Sequence, residues 1–207
     1  MKVLLPENIE DITLSQYQRF EELNSKLEDE EITIETYNKH KINLFSGIPF
    51  RKIEDVSHKD LVEVMTQIDE ALNVEAPFKN RFTMNGVEYG FIPNFDNIAV
   101  NEYVDLNKYG VEVDTLNNLM AILYRPIVPS KDSLGNYDIE KYKGTAEHAE
   151  TMKQMPMNLV NGAISFFFHL SSELTNSIQK FTQEELKKDN KQQTTLVNGV
   201  GMQLSSN

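Results

Sequence analysis

The sequence predicts an α+β fold, mainly helical, in a single compact domain with a small β-hairpin and a long C-terminal helix. Three observations carry that expectation. Apolar residues recur at steps of three and four in several segments, as a helix with one buried face requires. A single Asn85-Gly86 pair separates two short runs of strand character. Hydrophobic residues at 40% beside 25% charged ones supply enough apolar material for a core, which argues against full disorder and fibrous classes.

Thr13 followed by Gln16 has capping-box spacing, and Leu14, Tyr17, Phe20, Leu23 and Leu27 then share one helical face. After the acidic run Glu28-Asp29-Glu30-Glu31, Thr33 caps a second helix with Ile34, Tyr37, Lys41 and Leu44/Phe45 on a face and Ser46-Gly47 as its stop. The two form a helical hairpin over about 13–46. Ile48-Pro49-Phe50 reads as an extended connector, and Ser57 with Asp60 opens a third helix carrying Leu61, Val64/Met65, Ile68 and Leu72.

A β-hairpin over about 81–92 follows, because Arg81 to Met84 and Val87 to Tyr89 flank a pair that tolerates the positive φ of a type I′ turn. The stretch from Asn94 to Asn101 reads as irregular, and Tyr103-Val104-Asp105-Leu106 fits helix or strand. Asp114 is expected to cap a helix bearing Leu116, Leu119, Met120 and Leu123, which ends before Arg125-Pro126 because a residue preceding proline avoids the α region. Residues 129–136 are polar and turn-rich, an exposed loop or lid, and Tyr137 to Tyr142 a short strand around Ile139.

From Thr145 the pattern is helical, broken at Pro156 and resumed as a long central helix over about 156–186 through Met157, Val160, Ile164, Phe167, Phe168, Leu174, Ile178 and Phe181. Phe166, Phe167 and Phe168 point about 100° apart, so burial on more than one side is expected. The domain is expected over residues 1–186. Residues 187–195 then form a polar tether, and residues 196–207 hold a compact apolar set in Leu196, Val197, Val200, Met202 and Leu204. Together with Phe166 and Phe168 these five residues form the candidate interface.

Twenty Lys and Arg stand against 32 Asp and Glu, a net charge of −12. Such a surface repels a duplex or an anionic bilayer, so neither nucleic acid nor membrane is an expected partner. With no Cys there are no disulfides, thiolate nucleophiles or Cys-bound zinc, which fits a reducing compartment. Pro6 and Glu7 cut short the apolar start of the chain, and Ala163 to Leu170 falls far below the ~20 residues a membrane span needs, so a soluble protein is expected.

No motif points to catalysis. His40, His58, His148 and His169 include no pair at the spacing that sets two ligands on one helix face, so no metal site is expected. His148 beside Glu147 and His169 among phenylalanines read as surface and rim residues. The run Glu28 to Glu31 lacks the alternation and glycine of a calcium loop, and Asn198-Gly199-Val200-Gly201 lacks the third glycine of a nucleotide fingerprint. Tyr103, Tyr109, Tyr124, Tyr137 and Tyr142 suit packing better than a base or sugar platform. No catalytic residue and no cofactor are expected.

Two stretches carry a resemblance: Asn85-Gly86-Val87-Glu88-Tyr89-Gly90-Phe91-Ile92-Pro93-Asn94 leading to Glu102-Tyr103-Val104-Asp105-Leu106, and Leu123-Tyr124-Arg125-Pro126 leading to Tyr142-Lys143-Gly144-Thr145 and Met152-Lys153-Gln154-Met155-Pro156-Met157. Together they resemble uncharacterised proteins encoded among the structural genes of tailed bacteriophages, including low-GC phages of the crAss-like kind, over residues 81–174. The resemblance implies no catalytic residues. It implies a structural protein of the virion near the portal and tail, assembled in the bacterial host cytoplasm, with phage structural proteins or further copies of itself as partners. The alternative within that setting is a chaperone of tail assembly. A regulatory adaptor, or a hydrolase with the 129–136 loop as lid, are the readings outside it.

Overall fold

A computed structural model describes residues 5–74, 76–95, 98–110, 112–129 and 137–170, and its contacts divide the chain into two units, Met1–Ile164 and Ser165–Asn207. In the first unit, side-chain caps set the N-terminal helices as the sequence requires. The Thr13 hydroxyl accepts from the Gln16 N–H at 3.3 Å while Gln16 Oε1 accepts from the Thr13 N–H at 3.0 Å, opening α1 (Leu14–Glu28). Thr33 opens α2 (Ile34–Ser46), which ends at Gly47. A short α3 (Phe50–Ile53) precedes α4 (His58–Leu72), which Ser57 caps through the Asp60 N–H.

Two details differ from the sequence expectation here. Phe50 belongs to α3 rather than to an extended connector, because the Pro49 carbonyl accepts the Lys52 and Ile53 N–H groups and starts a turn of helix. Ile34 is 60% exposed; burial along α2 begins only at Tyr37 and includes Lys41, Ile42 and Phe45. Lys41 is buried because its ammonium pairs with Asp69 and lies 5.2 Å from the Phe20 ring centre and 5.8 Å from that of Tyr37. Ile42, Ile48 and Ile53 join Leu61, Val64 and Met65 in one cluster that fastens α4 to the helical hairpin.

The sheet has four antiparallel strands in sequence order: β1 (Arg81–Met84), β2 (Val87–Phe91), β3 (Tyr124–Val128) and β4 (Asp138–Ile139). The β1–β2 turn is the Asn85-Gly86 pair, with φ of 53° and 78°. Strand β3 carries Pro126 in a central position, where proline is normally excluded because it removes a ladder hydrogen bond. The register explains the exception. Ile92 N–H bonds Leu123 O, which makes Tyr89–Pro126 a pair that exchanges no bonds with β2, so the missing N–H faces β4 at its end, where Glu140 N–H still reaches the Pro126 carbonyl at 2.9 Å.

Between β2 and β3 the chain forms α5 (Val100–Tyr109), a 3-10 turn (Val113–Thr115) and α6 (Leu116–Leu123). The segment with Tyr103 and Leu106 is therefore helix. Asp114 sits inside the 3-10 turn and caps nothing; Thr115 precedes α6, its hydroxyl drawn back to the Tyr109 carbonyl at 2.7 Å. Seven of the eight residues of α6 are buried, so this helix is the most enclosed element among the described residues. The sequence expectation gave that place to the C-terminal helix.

After β4 come α7 (Ala149–Met152) and, past Pro156, α8 over residues 157–170. Met157, Leu159, Val160 and Ala163 are buried, more than one stripe wide, as expected. Gly162 allows close approach: a Cβ there would lie 2.6 Å from the Pro77 carbonyl oxygen. Leu14 N–H bonds Met155 O, Ser15 N–H bonds Lys153 O, and Met157 N–H bonds Ile12 O, so the start of α1 and the start of α8 are clasped together. These bonds satisfy donors of the α1 first turn that have no partner within the helix.

The second unit is described only over residues 165–170, which are helical. The expected helix to residue 186, the domain boundary there, the tether and the apolar segment lie outside the described residues, as do loop residues 130–136.

Candidate functional site

The segment of Glu102 to Leu106 and the segment from Leu123 to Tyr142 meet at the inner face of α5. Glu102 is 4% exposed on that face and Arg125 is 6% exposed on β3. Arg125 Nη1 donates to Glu102 Oε1 at 2.6 Å, and Glu102 Oε2 accepts from the Ala99 N–H at 3.3 Å, so one carboxylate both pairs a buried guanidinium and caps the start of the helix. Arg125 Nε is buried and has no partner among the described residues. The guanidinium lies 5.5 Å from the centre of the Tyr142 ring, and the Tyr142 hydroxyl donates to Asp105 Oδ2 at 2.6 Å. Burial first, and then the Asp105 carboxylate, push the Tyr142 hydroxyl well above the usual phenol range.

Beside this chain of groups, Lys108 Nζ donates to Tyr109 Oη at 3.3 Å and the Thr145 hydroxyl stands 3.5 Å from it. The Thr145 hydroxyl first, and then Lys108, lower the Tyr109 ionisation. Both carboxylates of α5 thus spend acceptor atoms on named donors, and the result is a helix pinned in register by alternating charges.

The consequence for α5 is an inverted helix. Its inward residues are Glu102 and Leu106 with Asp105 half-buried, whereas Val100 is 81%, Tyr103 59% and Val104 56% exposed. These three apolar residues sit at i, i+3 and i+4, a contiguous outward stripe. Such periodicity normally marks the core side of a helix. The sequence signal therefore existed and pointed the wrong way; it took the buried partner on β3 to reverse it.

Of the interface residues expected from sequence, Phe166 is 36% and Phe168 52% exposed, with Phe167 half-buried between them. Phe168 is thus no core residue. Leu196, Val197, Val200, Met202 and Leu204 lie outside the described residues. The five tyrosines form no common platform. Tyr124 is fully buried with its hydroxyl on the Lys79 carbonyl, Tyr137 donates to the Phe91 carbonyl, Tyr142 faces Arg125, and Tyr103 is on the outer stripe of α5.

Among the described residues no group of three or more His, Asp or Glu is placed to hold a metal ion, and no helix is long and apolar enough to cross a membrane. His148 Nε2 lies 3.6 Å from a Glu140 carboxylate oxygen. A cleft of about 500 Å³ runs beside β1, with Glu10, Asp11, Lys79 and Arg81 among its lining residues. No family model matches this chain, and neither does any curated protein or solved structure.

Proposed function

We propose that this chain is a non-enzymatic phage assembly protein that acts through protein contacts, as a structural component of the virion near the portal or tail. The observation that carries the reading is α5, which turns Val100, Tyr103 and Val104 outward while burying a carboxylate. Apolar side chains kept outward by a specific buried ion pair suit a surface that another protein covers. The exposed Phe168 adds further contact surface of the same kind. The phage setting itself comes from the resemblance of residues 81–174.

Mass spectrometry of purified particles tests the reading. The expected result is this chain in stoichiometric amount relative to the portal, and particles that fail to mature when its gene is deleted. Mature, infectious particles formed without the chain would overturn it. Recovery of the chain only on unassembled tail precursors would assign it instead as a chaperone of tail assembly.

A further inference from the structure

The geometry points to Asn85 as a modification site: its side-chain amide converts spontaneously to a carboxylate in the folded chain, gated by opening of the β1–β2 turn. Asn-Gly pairs occur at 85–86, 161–162 and 198–199, and the first two lie among the described residues. Such a pair is reactive because glycine has no Cβ to hinder its own nitrogen. The deprotonated Gly86 nitrogen attacks Asn85 Cγ, the new C–N bond closes a five-membered imide, and Nδ2 leaves as ammonia. Water then opens the imide at either carbonyl, leaving aspartate or isoaspartate at position 85. Water enters and ammonia leaves, so no other co-reactant is needed.

The ring closes only when the glycine nitrogen eclipses the asparagine Cβ about the Cα–C bond. The φ of 53° at Asn85 and 78° at Gly86 are those of a type I′ turn, whose left-handed ψ swings that nitrogen to the far side from Cβ. The closed turn is therefore inert, and Asn85 Nδ2, donating to Gln154 Oε1 at 2.9 Å, holds the amide in place. Little else restrains it. Asn85 and Gly86 are both exposed, and the bonds that close the turn belong to Met84 and Val87, which leaves the Gly86 N–H outside the ladder. Parting that one pair at the tip frees ψ and lets the ring form while the rest of the sheet stays paired.

Asn161 is the contrasting case in the same molecule. It lies in α8, where the Gly162 N–H is a donor of the helical ladder and Gly162 packs against the Pro77 carbonyl. Val160 and Ala163, on either side of the pair, are fully buried. Reaching the eclipsed geometry there means lifting α8 off the core, a far costlier opening than fraying a turn. Local sequence makes the two pairs alike, and packing separates them.

The two products differ in consequence. Aspartate tolerates positive φ and keeps the turn. Isoaspartate routes the main chain through Cβ and Cγ, which lengthens a loop whose size fixes the Met84–Val87 register, so the hairpin cannot close as before.

To test this, the full chain is incubated in mildly alkaline buffer, both folded and in guanidinium chloride, and the peptides containing Asn85 and Asn161 are quantified by mass spectrometry. In denaturant the two should convert at similar rates. In the folded chain Asn85 should convert at least about tenfold more slowly than in denaturant, and Asn161 at least about tenfold more slowly again. Conversion of folded Asn85 at the denatured rate would overturn the gate. Conversion of Asn161 as fast as Asn85 in the folded chain, or of neither, would overturn the assignment of Asn85 as the site. Recovered chains with isoaspartate at 85 should unfold at a lower denaturant concentration than the Asn85→Asp variant, which should stay near the unmodified chain. Equal midpoints for those two would overturn the register argument.

Discussion

Around Gly86 a Cβ would meet nothing within 4 Å, but its φ is +78°; at Gly162 the Cβ would meet the Pro77 carbonyl oxygen at 2.6 Å. The two glycines are thus required by different physics, and substitutions separate them. Gly86→Val should cost about 1 kcal/mol or more through strain, and Gly86→Asn much less, since Asn tolerates positive φ. Gly162→Ala gains up to ~1 kcal/mol in helix propensity. A clash with backbone costs roughly 1–3 kcal/mol, so the net change should be destabilising. Urea midpoints for the three variants would check both statements. The Glu102–Arg125 pair makes a second residue-scale prediction. Arg125→Met alone strands a buried carboxylate and should cost about 3–5 kcal/mol, whereas Arg125→Met with Glu102→Leu should recover most of that. Equal losses in the single and double variants would mean that the charge itself is not what holds α5. The turn glycine was legible from its Asn neighbour. Gly162 and the Glu102–Arg125 pair were not, because each depends on a contact across many residues that local spacing does not encode.

At the scale of elements, boundaries were readable wherever a side chain closes its own cap. Thr13, Thr33 and Ser57 each bond an N–H three residues on, and each begins a helix at the expected position. Alanine at any of the three should lower stability by about 1 kcal/mol. Thr13→Ala should stay near that value, because Leu14 and Ser15 N–H groups remain bonded to Met155 and Lys153 carbonyls. Thermal melts of the three variants would test these losses. Elements fixed by long-range pairing were harder to read. Strand β3 holds Arg125-Pro126, a dipeptide that ends helices, and its strand identity comes from β2 on one side and β4 on the other. The α6 sequence is apolar on nearly every side, which marks burial but not the central place it takes. On α5 the sequence left helix and strand open for Tyr103 to Leu106 and read Val100 as part of an irregular stretch, and the tertiary partner decided both the helix and which side faces inward.

For the whole molecule, buried phenols link the fold to pH. Burial first, with the Glu21 carboxylate next, pushes the Tyr17 hydroxyl up to about 12, and burial raises Tyr124 and Tyr142 further. A folded value above the unfolded one contributes stability that is complete below about pH 10 and is lost as pH rises through the folded value. Tyrosinate absorbance and helical circular dichroism should therefore change together above pH 10, with Tyr109 ionising ahead of the buried phenols. Ionisation of every tyrosine at ordinary pH with the dichroism intact would contradict this. The clasp between residues 12–15 and 153–157 has its own consequence, one for biosynthesis. While the chain is being made, α1 waits for partners that lie nearly a full unit downstream, and at roughly 5–20 residues per second that delay is on the order of ten seconds. During that interval Ile12 and Leu14, both fully buried in the finished protein, have no completed site to enter. A chaperone that binds short apolar segments at the ribosome has its clearest opportunity there.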